Sequence, residues 1–274
     1  MNPNKKTGKV ILAGAGPGDP ELITLKAIRY LQEADVIITD RLVSETILEE
    51  FTRKDALILH AGKQRGKGAS TTQATINELI IEYALQGNLV VRLKGGDVSF
   101  FSNILDELQA LTQHQIAYEI VPGVTAASGA AAYAGIPLTA RGYSAGVRFL
   151  TYYKEEIWDG KYWKELSQTN DTLVFYMSCG TLEMLVARLL EHGIGTDKHL
   201  AVVEQATTPQ QNVYSCNIHD YFRQNGGYTY VSPSLVIIGK CAVLHEKFQW
   251  IPNNKSKKNY FKPVSKNMDV AERA

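Results

Sequence analysis

Short apolar runs alternate along this chain with longer stretches in which apolar residues recur every three or four positions. The first run, Val10 to Ala13, ends in Gly14-Ala15-Gly16-Pro17-Gly18-Asp19-Pro20. An apolar run bounded by glycines reads as a buried strand, and Asp followed by Pro reads as the start of a helix. Leu22 to Glu33 then has helical spacing. Asp35 to Asp40 reads as a second strand that ends on a carboxylate, Ser44 as the cap of a short helix to Phe51, and Ala56 to His60 as a third strand. Thr72 to Leu85 is helical in pattern, and Leu89 to Leu93 runs as a strand into Lys94-Gly95-Gly96-Asp97. A helix over Leu105 to Gln113 precedes a strand over Tyr118 to Val121. Such alternation predicts a mostly parallel sheet with helices on both faces.

After residue 121 the rhythm changes. Pro122 to Ala132 is dense in small residues, which permits close approach by another backbone or by a ligand. Tight helix packing accounts for the interior of that stretch, while Thr125 and Ala126 at its start present outward N–H groups. Val147 to Tyr152, Thr172 to Met177, Ala201 to Glu204 and Leu235 to Ile238 read as strands, and Leu182 to His192 as an amphipathic helix ended by Gly193. Turn-rich stretches such as Asn225-Gly226-Gly227 favour antiparallel pairing. The pattern divides the chain into an α/β domain over 1–121, an α/β domain with a mixed sheet over 122–250, and a polar tail, expected to be mobile, over 251–274.

Composition narrows the function classes. The 29 basic and 28 acidic residues nearly cancel, so bulk charge gives no reason to expect nucleic acid or a membrane as partner. Any anionic ligand must be met by local cations. No run approaches the roughly 18 apolar residues of a membrane span, and the polar stretch Met1 to Lys9 carries no signal-peptide pattern, so the expectation is a cytoplasmic protein. Cys179, Cys216 and Cys241 are far apart, as reduced thiols would be, and the histidines lack paired metal-ligand spacing, so no metal is expected.

The first glycine-rich turn is not a dinucleotide fingerprint. After Gly14 and Gly16 the third glycine position falls on Asp19, whose carboxylate would oppose a pyrophosphate, and no G-K-[S/T] follows. It reads equally as a site for another ligand or as a tight strand-to-helix turn with none. Asp19, Asp40, Lys63, Asp97 and Thr125 all fall at strand C-terminal ends, which share one edge in a doubly wound sheet.

Several segments in unbroken order resemble the tetrapyrrole methylases: V-x-L-x-G-A-G-P-G-D-P, D-x-x-x-x-D-R-L-V-S, R-L-K-G-G-D, V-P-G-V-T-A-A-S-G-A-A-A-Y-A-G-I-P-L-T, L-V-F-Y-M and V-V-E-Q-A-T-T-P-Q-Q. The likeness covers about residues 8 to 245 and is strongest to the members acting on uroporphyrinogen III. It implies a homodimer of two-domain α/β subunits that binds S-adenosylmethionine in a folded conformation between the domains, at Pro17, Gly95, Gly96, Asp97, Phe100, Thr125, Ala126, Met177 and Ala206. It implies transfer of methyl groups to two ring carbons of uroporphyrinogen III, giving precorrin-2 for sirohaem or cobalamin synthesis, with S-adenosylhomocysteine as the other product. Asp40 and Lys63 fall on the family's proton acceptor and donor. The substrate's carboxylates require a rim of cations, for which Arg41, Lys63 and Arg141 are candidates and Arg65 a weaker one.

The chain also departs from the family pattern. The usual P-F-x-F-G-R-G-x-E-E after G-G-D is here Val98-Ser99-Phe100-Phe101-Ser102-Asn103-Ile104-Leu105-Asp106-Glu107, so Asn103 replaces an arginine while Asp106 and Glu107 keep the acidity. The family's T-H-R is Thr139-Ala140-Arg141. Cofactor positions are kept better than the substrate positions Arg41, Asn103, Asp106 and Arg141. The pattern leaves open methylation of another precorrin intermediate and a non-catalytic protein that binds the cofactor or the tetrapyrrole.

Overall fold

The computed structural model describes residues 7–61, 72–154, 158–254, 258–261 and 270–271. Two compact units divide the chain, 1–126 with 261–274, and 127–260.

In the first unit, β1 (Lys9–Gly14), β2 (Val36–Thr39), β3 (Leu57–His60), β4 (Leu89–Lys94) and β5 (Ala117–Val121) form a parallel sheet in the order β3-β2-β4-β1-β5. Val10 through Ala13 are fully buried, which explains why β1 reads as an uninterrupted apolar run: helices cover both faces of a parallel sheet. One face packs Ile11, Ala13, Ile37 and Val91 against α1 (Leu25–Glu33) and α2 (Glu45–Phe51). The other packs Val10, Leu12, Ile38 and Val90 against α3 (Gln73–Leu85) and α4 (Ile104–Gln113). Caps set the helix starts. Thr24 Oγ1 accepts the Ala27 N–H at 3.2 Å, and Thr72 Oγ1 accepts that of Thr75 at 3.1 Å. Asp19 and Pro20 open only a three-residue 3-10 turn, so α1 begins three residues later than the apolar spacing predicts.

α5 (Ala126–Ala134) opens at the junction of the units. The division falls after residue 126 rather than 121, because Gly123 donates its N–H to Asp97 at 2.8 Å and so ties this segment to the end of β4.

In the second unit, β6 (Val147–Thr151), β7 (Thr172–Tyr176), β8 (His199–Glu204), β9 (Asn212–Asn217) and β10 (Ser234–Gly239) order as β6-β7-β10-β8-β9, with β6 and β7 parallel and the other pairs antiparallel. α6 (Gly160–Gln168) and α7 (Leu182–Glu191) cover one face through Trp163, Leu166, Leu185 and Leu189. The predicted mixed sheet is present, but Asn225 to Gly227 forms no hairpin; it closes the short helix α8 (Tyr221–Asn225).

The described part of the expected mobile tail is packed instead. Asn253 exchanges hydrogen bonds of 2.8 and 2.9 Å with the Val213 backbone, Phe261 is buried, and β11 (Val270–Ala271) pairs antiparallel with β3. Polar composition concealed these contacts because they run through backbone groups and a single aromatic.

Candidate functional site

The turns that follow β1, β4 and β5 meet backbone to backbone at the C-terminal edge of the first sheet. Gly16 and Gly96 exchange hydrogen bonds of 3.1 and 2.7 Å, and both take left-handed φ angles, +80° and +71°. A Cβ on Gly14 would lie 2.6 Å from the Gly96 carbonyl oxygen, and one on Gly123 only 2.3 Å from it. No side chain can intervene there. A Cβ on Gly96 would lie 3.7 Å from the Ala126 nitrogen, so the start of α5 adjoins the same turn. Of the residues expected to meet the methyl donor, Gly95, Gly96, Asp97 and Ala126 are thus brought together, with half-buried Pro17 directly after Gly16.

Asp97, expected to meet the cofactor, also makes bonds within the chain. Its carboxylate accepts the Ser99 N–H at 2.7 Å and the Gly123 N–H at 2.8 Å, and the residue is 7% exposed. The side chain braces two turns, so its influence on a ligand passes through their backbone. Phe100 is exposed two residues beyond Val98, and Thr125 is half-buried at the end of the β5 turn.

Asp40 follows β2 and stands beside β4. One of its oxygens accepts the Leu42 N–H at 2.9 Å, and both lie 3.3 Å from the Gly95 nitrogen. The carboxylate is therefore oriented at the glycine turn while the residue stays half-exposed. Next to it, the Arg41 Nε is buried with no hydrogen-bond partner among the described residues, and burial pulls the guanidinium below its ordinary pKa against the opposing pull of Asp40. An orphaned donor of this kind asks for an acceptor from outside the described chain. Lys63 and Arg65 lie outside the described residues.

Asn103 and Asp106 pair with each other. The Asn103 amide donates to Asp106 at 2.7 Å, from a left-handed backbone (φ 56°) that asparagine tolerates better than most residues. Glu107, which the motif paired with Asp106 as an acidic position, belongs instead to a buried cluster with Arg92 and Lys94. Glu107 is 1% exposed and takes the Arg92 Nε at 3.0 Å on one oxygen and the Lys94 Nζ at 2.8 Å on the other. Arg92 also donates to the carbonyls of Ile38 and Leu93. Burial lowers the Lys94 pKa, the like charge of Arg92 adds to this, and Glu107 and Asp40 oppose it. The signal was available: two cations in a strand covered on both faces require a buried acid.

In the second unit, Met177 and Ala206 follow β7 and β8 at the same sheet edge, since Tyr176 pairs with Leu235 and Glu204 with Ser234. Met177 is 60% exposed with φ 54°, and Gln205 and Thr207 are also left-handed (45° and 66°). Left-handed backbone at three non-glycine residues, exposed Met177 and buried Gln205 and Thr207, gathers at one sheet edge. Arg141 does not join them. It lies in a cleft of about 620 Å³ with Tyr143, Asn170 and Lys240, at the edge where β6 and β7 begin. Five strand residues, about 17 Å, separate that edge from Met177.

The chain matches the model for Tetrapyrrole (Corrin/Porphyrin) Methylases over residues 9–221. It is 44% identical over 246 residues to a siroheme synthase of Saccharophagus degradans, covering 90% of this chain and 53% of that protein. It is 46% identical over 244 residues to the siroheme synthase of Acinetobacter baylyi, again covering 53% of the relative. The chain thus spans about half the length of the curated relatives it matches. Among solved structures, the uroporphyrin-III C-methyl transferase of Thermus thermophilus complexed with S-adenyl homocysteine is 32% identical, with a TM-score of 0.72 over 86% of this chain and all of that one. A cobalt precorrin-4 methyltransferase is 26% identical with a TM-score of 0.72. Glycine-laced turns, an oriented carboxylate and these likenesses agree, and the chain belongs to the tetrapyrrole methylase family.

Proposed function

We propose that this protein is a C-methyltransferase that moves methyl groups from S-adenosylmethionine to two ring carbons of uroporphyrinogen III, giving precorrin-2 on the way to sirohaem. The observation that carries the reading is the glycine-laced edge after β1, β4 and β5. The chain that carries it is similar over the full length of a Thermus uroporphyrin-III C-methyl transferase complexed with S-adenyl homocysteine. S-adenosylmethionine, when bound, supplies an electrophilic methyl on a sulfonium. The residues present fit such a group: Gly96 leaves open space where a Cβ would stand, with the half-buried Ala126 at the start of α5 adjoining it, while Gly95 packs against Leu42. Pro17, Phe100, Thr125, Met177 and Ala206 complete the proposed contact set by resemblance.

Asp40 is the proposed base. The N–H groups of Leu42 and Gly95 fix its orientation, so it takes a proton from the methylated pyrrole without first having to reorient. A positioned base contributes roughly a hundredfold or more to the rate. Arg41 is the proposed anchor for a substrate carboxylate, because its buried Nε lacks any other acceptor among the described residues. Asn103, bonded to the Asp106 carboxylate, is proposed to stand at the substrate rim where the family pattern has an arginine, without that arginine's positive charge. Lys63 is retained as the proposed proton donor on resemblance alone. The same reading holds the protein to be a cytoplasmic homodimer.

Isothermal titration tests the assignment of roles. S-adenosylhomocysteine binds the native protein, and Arg41→Ala weakens tetrapyrrole binding about tenfold while leaving S-adenosylhomocysteine affinity unchanged. Equal loss of both affinities would remove Arg41 from the substrate side. A cofactor-binding protein without turnover would bind S-adenosylhomocysteine and show no affinity for the tetrapyrrole.

A further inference from the structure

The segment from β4 into α4 carries Gly95, Gly96, Asp97, Phe100 and Asn103 in the loop and Asp106 in the first helical turn, all assigned to the proposed site. Its two ends are Lys94, the last residue of β4, and Glu107, in the first turn of α4. These ends are joined to each other by the 2.8 Å ion pair, with side chains 4% and 0% exposed. Arg92 adds a second bond to the same carboxylate and fastens it to the backbone of β2 and β4. Both oxygens of Glu107 are thereby engaged, and the side chain is 0% exposed, so the carboxylate is not presented to a ligand.

We propose that Lys94 and Glu107 are positioning residues of the methyl-transfer site: their buried ion pair closes the base of the 95–106 loop and holds its glycine turn in the binding conformation. The charge count supports a specific construction. Arg92 and Glu107 alone would make a neutral buried pair, and an apolar side chain at 94 would pack on β4 without leaving any charge unmatched. Lys94 is therefore dispensable for neutrality and explained by what it reaches, the start of the loop's far helix. Burial opposes its charge, and that opposition is met by Glu107 and by Asp40 on the neighbouring strand. Asp40 N–H bonds to the Leu93 carbonyl and its carboxylate faces the Gly95 N–H, so a shift of the β4 end moves the proposed base together with the glycine turn.

The inference rests on the methyl-transfer reading, and the test separates the two. Lys94→Met leaves the Arg92–Glu107 pair intact and is the variant expected to fold; Glu107→Gln is the second, and Leu189→Ala, in the α7 core of the other unit, is a control for general loss of stability. Two quantities are measured on each: S-adenosylhomocysteine affinity by calorimetry, and amide hydrogen exchange over residues 95–106. Lys94→Met and Glu107→Gln are expected to lose at least tenfold in affinity and to exchange the loop amides at least tenfold faster, with Lys94→Arg recovering most of both. Leu189→Ala lowers the melting temperature with neither change. Native-like affinity and exchange in Lys94→Met and Glu107→Gln would overturn the proposal while leaving the methyltransferase reading in place. Faster loop exchange in the variants with no S-adenosylhomocysteine bound by the native protein would keep the clamp and remove the ligand assigned to it.

Discussion

Asp97 illustrates how far a single residue was legible. The R-L-K-G-G-D segment marked it as part of the site, and a carboxylate in a glycine turn is readily taken as a direct ligand contact. Only the long-range partner, the Gly123 N–H, shows that it braces two turns, and no local pattern encodes a bond across 26 residues. Asp97→Ala leaves two N–H groups without their acceptor and is expected to destabilise the protein by about 1–3 kcal/mol as well as weaken S-adenosylhomocysteine. Asp97→Asn, which keeps one acceptor, should lose about half as much; urea unfolding of the pair measures both. Asn103 makes the complementary case. Its left-handed backbone favours asparagine, so Asn103→Arg should cost about 1 kcal/mol of stability yet lower the KM for the tetrapyrrole by adding the missing charge. Steady-state kinetics beside thermal unfolding checks the two effects separately, and an unchanged KM would show that the cation is supplied elsewhere.

At the scale of elements, the first sheet was legible because buried parallel strands leave apolar runs, while the Thr24 cap that sets the start of α1 was passed over for Asp19-Pro20. The second unit was less so: β9 lies at a sheet edge with a polar sequence, and α6 is a short helix whose buried apolar residues are Trp163 and Leu166. How the strand ends interlock follows from the glycines. Gly123→Ala would push a methyl group into the Gly96 carbonyl and is expected to cost about 1–3 kcal/mol, with hydrogen exchange rising in the turns after β1 and β4 together. An effect confined to residue 123 would contradict the interlock. Glu119 on β5 ties that edge strand to β1 and α1 through Lys9 at 2.7 Å, Lys26 at 2.5 Å and the Tyr30 hydroxyl at 2.6 Å. Its bonds to Lys26, Lys9 and Tyr30 hold the carboxyl down at about 2, against 4.5 for a free group. Because the folded value is the lower one, this contribution is complete above pH 4.5 and is lost as pH falls toward 2. The melting temperature of Glu119→Gln should therefore lie below that of the native protein at neutral pH, and the gap should close over that window; a gap that widens on acidification would refute the assignment.

The molecule as a whole combines a parallel α/β unit, which the alternation of strands and helices predicted, with a mixed-sheet unit whose boundary and terminal packing depend on single backbone bonds. No helix among the described residues is long and apolar enough to cross a membrane. The positions of strand ends in the sequence located the edge of the first sheet that carries the glycine turns, while the separation of Arg141 from Met177 and Ala206 needed the strand order of the second sheet. The chain corresponds to about half the length of the siroheme synthases it matches. The most direct test is anaerobic incubation of the purified protein with uroporphyrinogen III and S-adenosylmethionine, following the tetrapyrrole by mass spectrometry. The account predicts a product that has gained two methyl groups, with Asp40→Asn slowed at least a hundredfold. No methyl gain by a protein that binds S-adenosylhomocysteine in the same preparation would contradict it.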